Sequence, residues 1–324
     1  MPGPDPAVAA TRSAVRRVLD GATGQRVIVA CSGGADSLAL AAAVAFEAPR
    51  LSVQAAAVVV DHGLQDGSEQ IATRAAQQCG ALGLEPALVV RVQVTQQGTG
   101  PEGAARTARY SVLGDAAQDL GASAILLAHT RDDQAETVLL GLARGSGLRS
   151  IAGMATFDAR RRLVRPFLDI TRAQTQAACT AQGLTWWDDP HNTDPSYTRV
   201  RARQVLPALD DALGPGVVAG LARTAALARS DADGLDQLAA AATAALGAPP
   251  WPVQDLAGLV EPVRRRVWRA LFPQTAKVHI DELERLLRDW HGQVGIDVPG
   301  GVRVSRRNGQ IEVGPAPGRS RLVE

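Results

Sequence analysis

The chain has 324 residues, 46% of them hydrophobic and 21% charged, with a formal net charge of +1. That length suits two domains with separate cores, and the near-neutral balance excludes a protein that binds nucleic acid through bulk charge. No apolar run reaches the roughly 18 residues of a membrane span, and Met1–Ala10 lacks the basic–apolar–small succession of a secretory signal, so no membrane is expected.

Strand-like apolar runs fall at Val27–Cys31, Ala55–Val60, Ala87–Val92 and Ala124–Ala128, with a weaker one near Leu163–Phe167. Helical patterns lie between them at Ser37–Glu47, Ser68–Leu82, Glu102–Leu120 and Asp132–Ala143. Strands separated by helices predict an α/β fold with a doubly wound parallel sheet. Beyond Leu213 the pattern changes. Ala-rich helices run to about Leu246, Pro249-Pro250 interrupts them, and further helices cover Glu261–Phe272 and Ile280–Trp290. Val294–Val313 reads as short strands with a hairpin signal at Asn308-Gly309. Gly214-Pro215-Gly216 marks the division: residues 1–213 form the α/β domain, and 214–324 a smaller, mainly helical domain ending in short strands.

Open parallel sheets bind ligands outside the carboxyl ends of their strands, and the polar residues of this chain collect there. The first strand ends in Ser32-Gly33-Gly34-Ala35-Asp36-Ser37, the second in Asp61-His62-Gly63, and the fourth in His129 followed by Asp132, Asp133 and Glu136. Paired glycines at a strand-to-helix turn let backbone amides face an anion, and Ser32 and Ser37 add hydroxyls. A Walker A loop would need a lysine, and Lys277 is the only one in the chain. The third glycine of a dinucleotide fingerprint is also missing. The turn therefore reads as another kind of phosphate cradle, with Asp36 suggesting magnesium beside it. On a helix, His129, Asp132, Asp133 and Glu136 would share one face, at i, i+3, i+4 and i+7. Helix-dipole preference explains one or two of those carboxylates, not three beside a histidine.

The arginines are clustered, at Arg160–Arg162 with Arg165, at Arg199, Arg201 and Arg203, and at Arg264–Arg266, and such patches suit a nucleic-acid backbone. Cys31, Cys79 and Cys179 form no Cys-x-x-Cys pair, which fits reduced thiols in a cytoplasmic protein. Trp186 and Trp187 precede an Asp-Pro motif and read as core packing, with base stacking as the alternative.

Ser32–Ser37 after a strand resembles the PP-loop of the ATP pyrophosphatase superfamily. Val60–Leu64, Glu102–Arg106, His129–Thr137, Arg144–Gly147, Arg165–Phe167 and Asp189–Asp194 complete an ordered set that resembles the tRNA(Ile)-lysidine synthase family. The chain departs from the family pattern at Gln65, Val200 and His191-Asn192. The resemblance implies ATP-dependent ligation of free L-lysine to C2 of the wobble cytidine of an isoleucine tRNA with a CAU anticodon. ATP first adenylates the C2 oxygen, releasing pyrophosphate; the lysine amine then displaces AMP. It implies phosphate binding by Ser32, Gly33, Gly34, Ala35, Asp36 and Ser37, with Asp61 and His62 at the nucleotide. Asp36 and Asp133 would hold magnesium. Catalytic roles fall to Asp36, Arg106, His129, Asp132, Asp133 and Glu136. The tRNA contacts fall to Arg199, Arg201 and Arg203 and, within a C-terminal tRNA-binding domain, to Arg264, Arg265 and Arg266. A homodimer is left open. Two rival readings are a PP-loop tRNA thiolase, which usually displays cysteine pairs, and a non-catalytic ATP-dependent RNA-binding module, against which the complete set of polar residues argues.

Overall fold

Strand β1 (Arg26–Cys31) alternates its side chains between two cores, and the first domain is built around it. The computed structural model describes residues 3–61, 63, 67–92, 100–145 and 147–317, with the backbone alone at 100–106. Around β1 run α1 (Pro6–Leu19), α2 (Ala35–Glu47), β2 (Gln54–Asp61), α3 (Ser68–Ala81), β3 (Ala87–Arg91), α4 (Gly100–Asp119), β4 (Ala124–Leu126) and α5 (Arg131–Ala143). There follow α6 (Leu148–Ile151), β5 (Phe157–Asp158), β6 (Leu163–Val164), α7 (Arg172–Ala181), α8 (Thr198–Leu213) and α9 (Val217–Leu246).

The sheet order is β3-β2-β1-β4-β6-β5, parallel except for the antiparallel β5–β6 edge. Val27, Val29 and Cys31 face a core closed by α1, α2, α3 and α7. Ile28 faces the other way, with Ala56 and Val58, onto Leu113, Ala116 and Ala117 of α4. The chain winds outward from β1 in one direction to β2 and β3, and in the other to β4 and β6. The topological switch point is therefore between β1 and β4, and both site segments read from the sequence follow those two strands.

The doubly wound sheet and its order of elements agree with the sequence pattern. The helices α1, α6, α7 and α8 were not foreseen, and the run near Leu163–Phe167 is a two-residue strand followed by a turn. His62 and Ser146 lie outside the described residues.

The chain separates into compact units at Met1–Ala228 and Arg229–Glu324. Helix α9 does begin just past Gly214-Pro215-Gly216, but its first turns belong to the first unit, where Ala225 is buried and sits 3.1 Å from where a Gly153 Cβ would stand. By compactness the division falls inside α9, at 228/229.

The second unit comprises the rest of α9, β7 (Trp251–Pro252), α10 (Val253–Ala257), α11 (Glu261–Leu271), α12 (Lys277–Arg288), β8 (Ile296–Val298), β9 (Val302–Arg307) and β10 (Gln310–Pro315). Val263 and Val267 on α11 and Ile280, Leu283 and Leu287 on α12 recur at helical spacing and meet Val298, Val304 and Ile311 of an antiparallel sheet. Asn308 and Gly309 both take positive φ (47° and 73°), as the predicted hairpin turn requires. A buried ion pair lies in this core. Arg264, 1% exposed, donates from Nε and Nη2 to Glu284 and from Nη1 to the Leu259 carbonyl, and Trp268 Nε1 donates to the same carboxylate.

Removing one partner of such a pair strands a buried charge and costs about 3–5 kcal/mol. Arg264→Ala should therefore shift the urea unfolding of this unit, followed by the fluorescence of its tryptophans, to much lower denaturant. Arg269→Ala, on the exposed side of α11, should stay within about 0.5 kcal/mol of the parent.

Candidate active site

The turn after β1 is held open by its own backbone chemistry. Gly33 has φ +80°, a left-handed conformation, and a Cβ there would lie 3.3 Å from that of Ala75. Its carbonyl accepts the Trp187 amide at 3.0 Å. Gly34 is the extended N-cap of α2, so the first amides of that helix, from Ala35 onward, open toward the strand ends. Ser37 is 5% exposed, and its hydroxyl donates to the Gly34 carbonyl (2.9 Å) and accepts from the Ser32 amide (3.1 Å). Ser37 thus shapes the cradle from beneath. Ser32 is exposed and is the hydroxyl available to a phosphate.

Asp61 ends β2. It is buried, it accepts the Gly63 amide at 2.9 Å, and Arg91 lies 3.9 Å away.

After β4, Thr130 caps α5 in a reciprocal box. Its hydroxyl accepts the Asp133 amide, and Asp133 Oδ2 accepts the Thr130 amide at 2.7 Å. The helix starts at Arg131, so His129 stands before it, half-buried in the link from β4. The shared helical face expected for the histidine and the three acids does not include His129.

What gathers the acids is Arg172, at the start of α7. Its backbone amide donates to Asp132 Oδ2 (2.9 Å) and its guanidinium to Asp133 Oδ1 (3.1 Å). The same guanidinium lies 3.6 Å from Asp36 and 3.7 Å from Glu136. Thr175, one turn on, donates its hydroxyl to Asp36 Oδ1. Burial disfavours the Arg172 charge, but the attraction of Asp133, Asp36, Glu136 and Asp132 outweighs it and raises the pKa. Burial raises the Asp36 carboxyl above its ordinary value, against the Thr175 hydrogen bond and the Arg172 charge.

Glu136 is the most enclosed of the four acids, its side chain 1% exposed. Arg203 Nε donates to Oε1 at 2.7 Å, while Oε2 is buried without a hydrogen-bond partner among the described residues. Burial raises this pKa as well, and the Arg203 hydrogen bond opposes the rise.

The sequence placed Asp36, Asp132, Asp133 and Glu136 in one site, and the fold brings them together. It missed Arg172 and Thr175. Their signal was Thr171-Arg172-Ala173-Gln174, a capping box in which Gln174 Oε1 accepts the Thr171 amide at 2.9 Å and the Thr171 hydroxyl accepts the Gln174 amide. Arg106 lies in the first turns of α4, and its side chain is outside the described part of the structure.

The expected RNA-binding arginines need correction. Arg203 is the ion-pair partner of Glu136. Arg264 is buried against Glu284, Arg265 donates to Asp281, and Arg266 Nε donates to Asp236 at 2.6 Å. A long-range carboxylate, invisible in local sequence, neutralises each of these three. Arg201 is exposed, though its guanidinium donates to the Pro195 and Ser196 carbonyls, and Arg199 is half-buried. Trp186 packs against the first core, as expected, and donates to Asp188 at 3.1 Å.

Of the two acids assigned to magnesium, Asp133 accepts the Thr130 amide at Oδ2 and Arg172 at Oδ1, while Asp36 accepts the Thr175 hydroxyl at Oδ1 and has Arg172 3.6 Å from Oδ2. No group of three or more acidic, histidine or cysteine residues fit for a metal occurs among the described residues, so a magnesium ion here would take its other ligands from phosphates and water.

Residues 8–209 match the PP-loop domain family. The chain is 52% identical to a tRNA(Ile)-lysidine synthase of Salinispora arenicola over 95% of its length and 96% of that protein's. It is 50% identical to one of Thermobifida fusca (97% and 99%) and 48% identical to one of Streptomyces coelicolor (96% and 99%). Among solved structures, the U34-tRNA thiolase NcsA from Methanococcus maripaludis is similar in fold, with a TM-score of 0.57 at 17% identity over 68% of this chain and 78% of that one. A PP-loop at the switch point and near-complete alignment with these synthases lead to one conclusion: the chain belongs to the tRNA(Ile)-lysidine synthase family.

Proposed function

We propose that this protein joins L-lysine to C2 of the wobble cytidine in an isoleucine tRNA with a CAU anticodon, using ATP and releasing AMP and pyrophosphate. One observation carries the reading: four carboxylates converge beside a glycine-lined phosphate cradle, with one arginine among them and one more on Glu136. That arrangement serves two substrates at once. The cradle amides and Ser32 suit the phosphates of ATP. The acids suit a cationic amino acid, since two arginines leave four ionised carboxylates short of positive charge.

In the first step the C2 oxygen of cytidine attacks the α-phosphate and pyrophosphate leaves. A poor leaving group becomes AMP. In the second the lysine side-chain nitrogen attacks C2, loses a proton, and the C2–oxygen bond breaks. Free lysine carries a pKa of about 10.4, so its amine must be stripped of a proton near neutrality. Glu136 Oε2, buried and without a hydrogen-bond partner among the described residues, is the acceptor we assign. Asp36 would hold magnesium with the phosphates; when bound, the ion neutralises charge on the departing pyrophosphate. Arg106 keeps its assignment to the same phosphates, and His129 its catalytic assignment.

The thiolase reading has less support. Cys31, Cys79 and Cys179 are buried, and burial pushes the Cys179 thiol up to about 12. The free thiols and the lack, among the described residues, of any single helix long and apolar enough to cross a membrane are compatible with a cytoplasmic location. We retain the C-terminal part, from residue 214, as tRNA-binding, through exposed Arg285 and Arg288 in place of Arg264–Arg266.

Pyrophosphate release tests the reading. Protein, ATP and the CAU isoleucine tRNA should release it without lysine and accumulate an AMP-linked RNA, which added lysine converts to product. An absolute need for lysine before any pyrophosphate appears would sink the two-step order.

Asp36→Ala should eliminate that release while the unfolding curve stays close to the parent's. Turnover equal to the parent's would remove Asp36 from the phosphate site.

The lysine step should fail on the acid side as Glu136 takes up a proton, at a pH above the ordinary carboxylate range because burial raises its pKa. Arg203 holds that pKa down, so Arg203→Met should move the acid limb to higher pH. A single-turnover pH profile from preformed AMP-linked RNA reads it; an unmoved limb would exclude Glu136 as the acceptor.

A further inference from the structure

An open groove of about 620 Å³ runs between α4 and the turn that joins β5 to β6. Its α4 wall offers Thr107, Tyr110 and Ser111, and its other wall is the run Arg160, Arg161, Arg162. All three arginines are exposed, and none is ion-paired among the described residues. Arg162 has φ 52°, and its guanidinium reaches only the Ala122 carbonyl, at 3.4 Å. Arg161 lies 5.6 Å, and Arg109 5.8 Å, from the centre of the Tyr110 ring. The acid at this turn, Asp158, accepts the backbone amide of Arg161 at 3.2 Å and leaves the guanidinium groups unpaired.

The other arginine triplet differs in kind. Arg264, Arg265 and Arg266 each meet a carboxylate inside their own unit, so their charge is consumed by folding. The charge of Arg160–Arg162 is not consumed, and it lines one wall of the groove. Three adjacent like charges repel, and a bound polyanion relieves that. The α4 wall runs from Thr107, the residue after Arg106, to Gln118, about 16 Å along the helix, and the arginine wall lies at the amino end of β6, away from the carboxyl ends of the strands.

We propose that this groove binds backbone phosphates of the RNA substrate, extending its grip on the first unit beyond the reacting cytidine. The inference rests on the tRNA reading given above. Removing one arginine–phosphate pairing should flatten the plot of log affinity against log salt by about 0.7–0.9. The double variant Arg160→Gln/Arg161→Gln keeps Arg162 and its backbone conformation in place. It should bind the tRNA more weakly, with a slope flatter by about 1.4–1.8, while ATP binding stays at the parent level. A parent that binds tRNA and a variant with unchanged affinity and slope would overturn the groove alone. A parent with no tRNA affinity would overturn both the groove and the substrate reading.

Discussion

Arg172 is the residue on which the site depends. Four carboxylates from two helices cannot share a partly buried space unaided. At about 4 Å, two like charges repel by about 4 kcal/mol at an effective dielectric of 20. The guanidinium answers that repulsion with attractions to Asp36, Asp133 and Glu136, while the backbone amide of the same residue takes Asp132. One residue therefore ties α2, α5 and α7 together. It can do so because Thr171 and Gln174 fix the first turn of α7, which sets both the amide and the side chain. The cap on α5 does the same for the opposing wall. Local backbone chemistry, twice repeated, fixes the electrostatic centre.

The sheet supplies the distances. Only at the switch point do loops leave two neighbouring strands in opposite directions and open a crevice between them. The phosphate cradle follows β1 and the acids follow β4, and those strands are hydrogen-bonded neighbours. Residues about a hundred positions apart thereby meet. A mainly parallel sheet buried on both faces also explains why β1 and β2 are continuous apolar runs with their polar residues at the carboxyl ends.

That pattern is why so much was legible in the sequence. Runs such as Val27–Cys31 announce buried strands, and Gly33-Gly34 announces a close approach, whatever the rest of the chain does. The arginines were not legible in the same way. Arg264 and Arg307 look alike in a sequence, yet one lies in a core against Glu284 and the other on an exposed strand. Pairing partners lie 67 residues apart for Arg203 and Glu136, and 20 apart for Arg264 and Glu284. Local pattern carries no record of them. Asp133 holds a second role for a related reason. A first-turn aspartate serves a cap as readily as a metal, and only the geometry shows that its oxygens meet the Thr130 amide and Arg172. The capping box at Thr171 was a local signal, and it pointed to the one helix whose omission hid Arg172.

For the proposed reaction, recognition and reactivity of lysine pull in opposite directions. An acidic pocket binds the ammonium form and so holds on to the proton that must leave before nitrogen can attack. A fully solvated carboxylate would make this worse, since its low pKa leaves it a feeble base. Burial changes the balance for Glu136. It raises the pKa of the carboxyl, which makes the carboxylate a stronger base, and it keeps one oxygen clear of competing donors. Arg203 prevents the opposite failure, because without it a carboxyl so enclosed would stay protonated and bind no cation. The pair thus serves attraction and deprotonation together. The surplus negative charge on Asp36, Asp132 and Asp133 supplies the field that draws a cation in, and Arg172 keeps that surplus from driving the walls of the site apart.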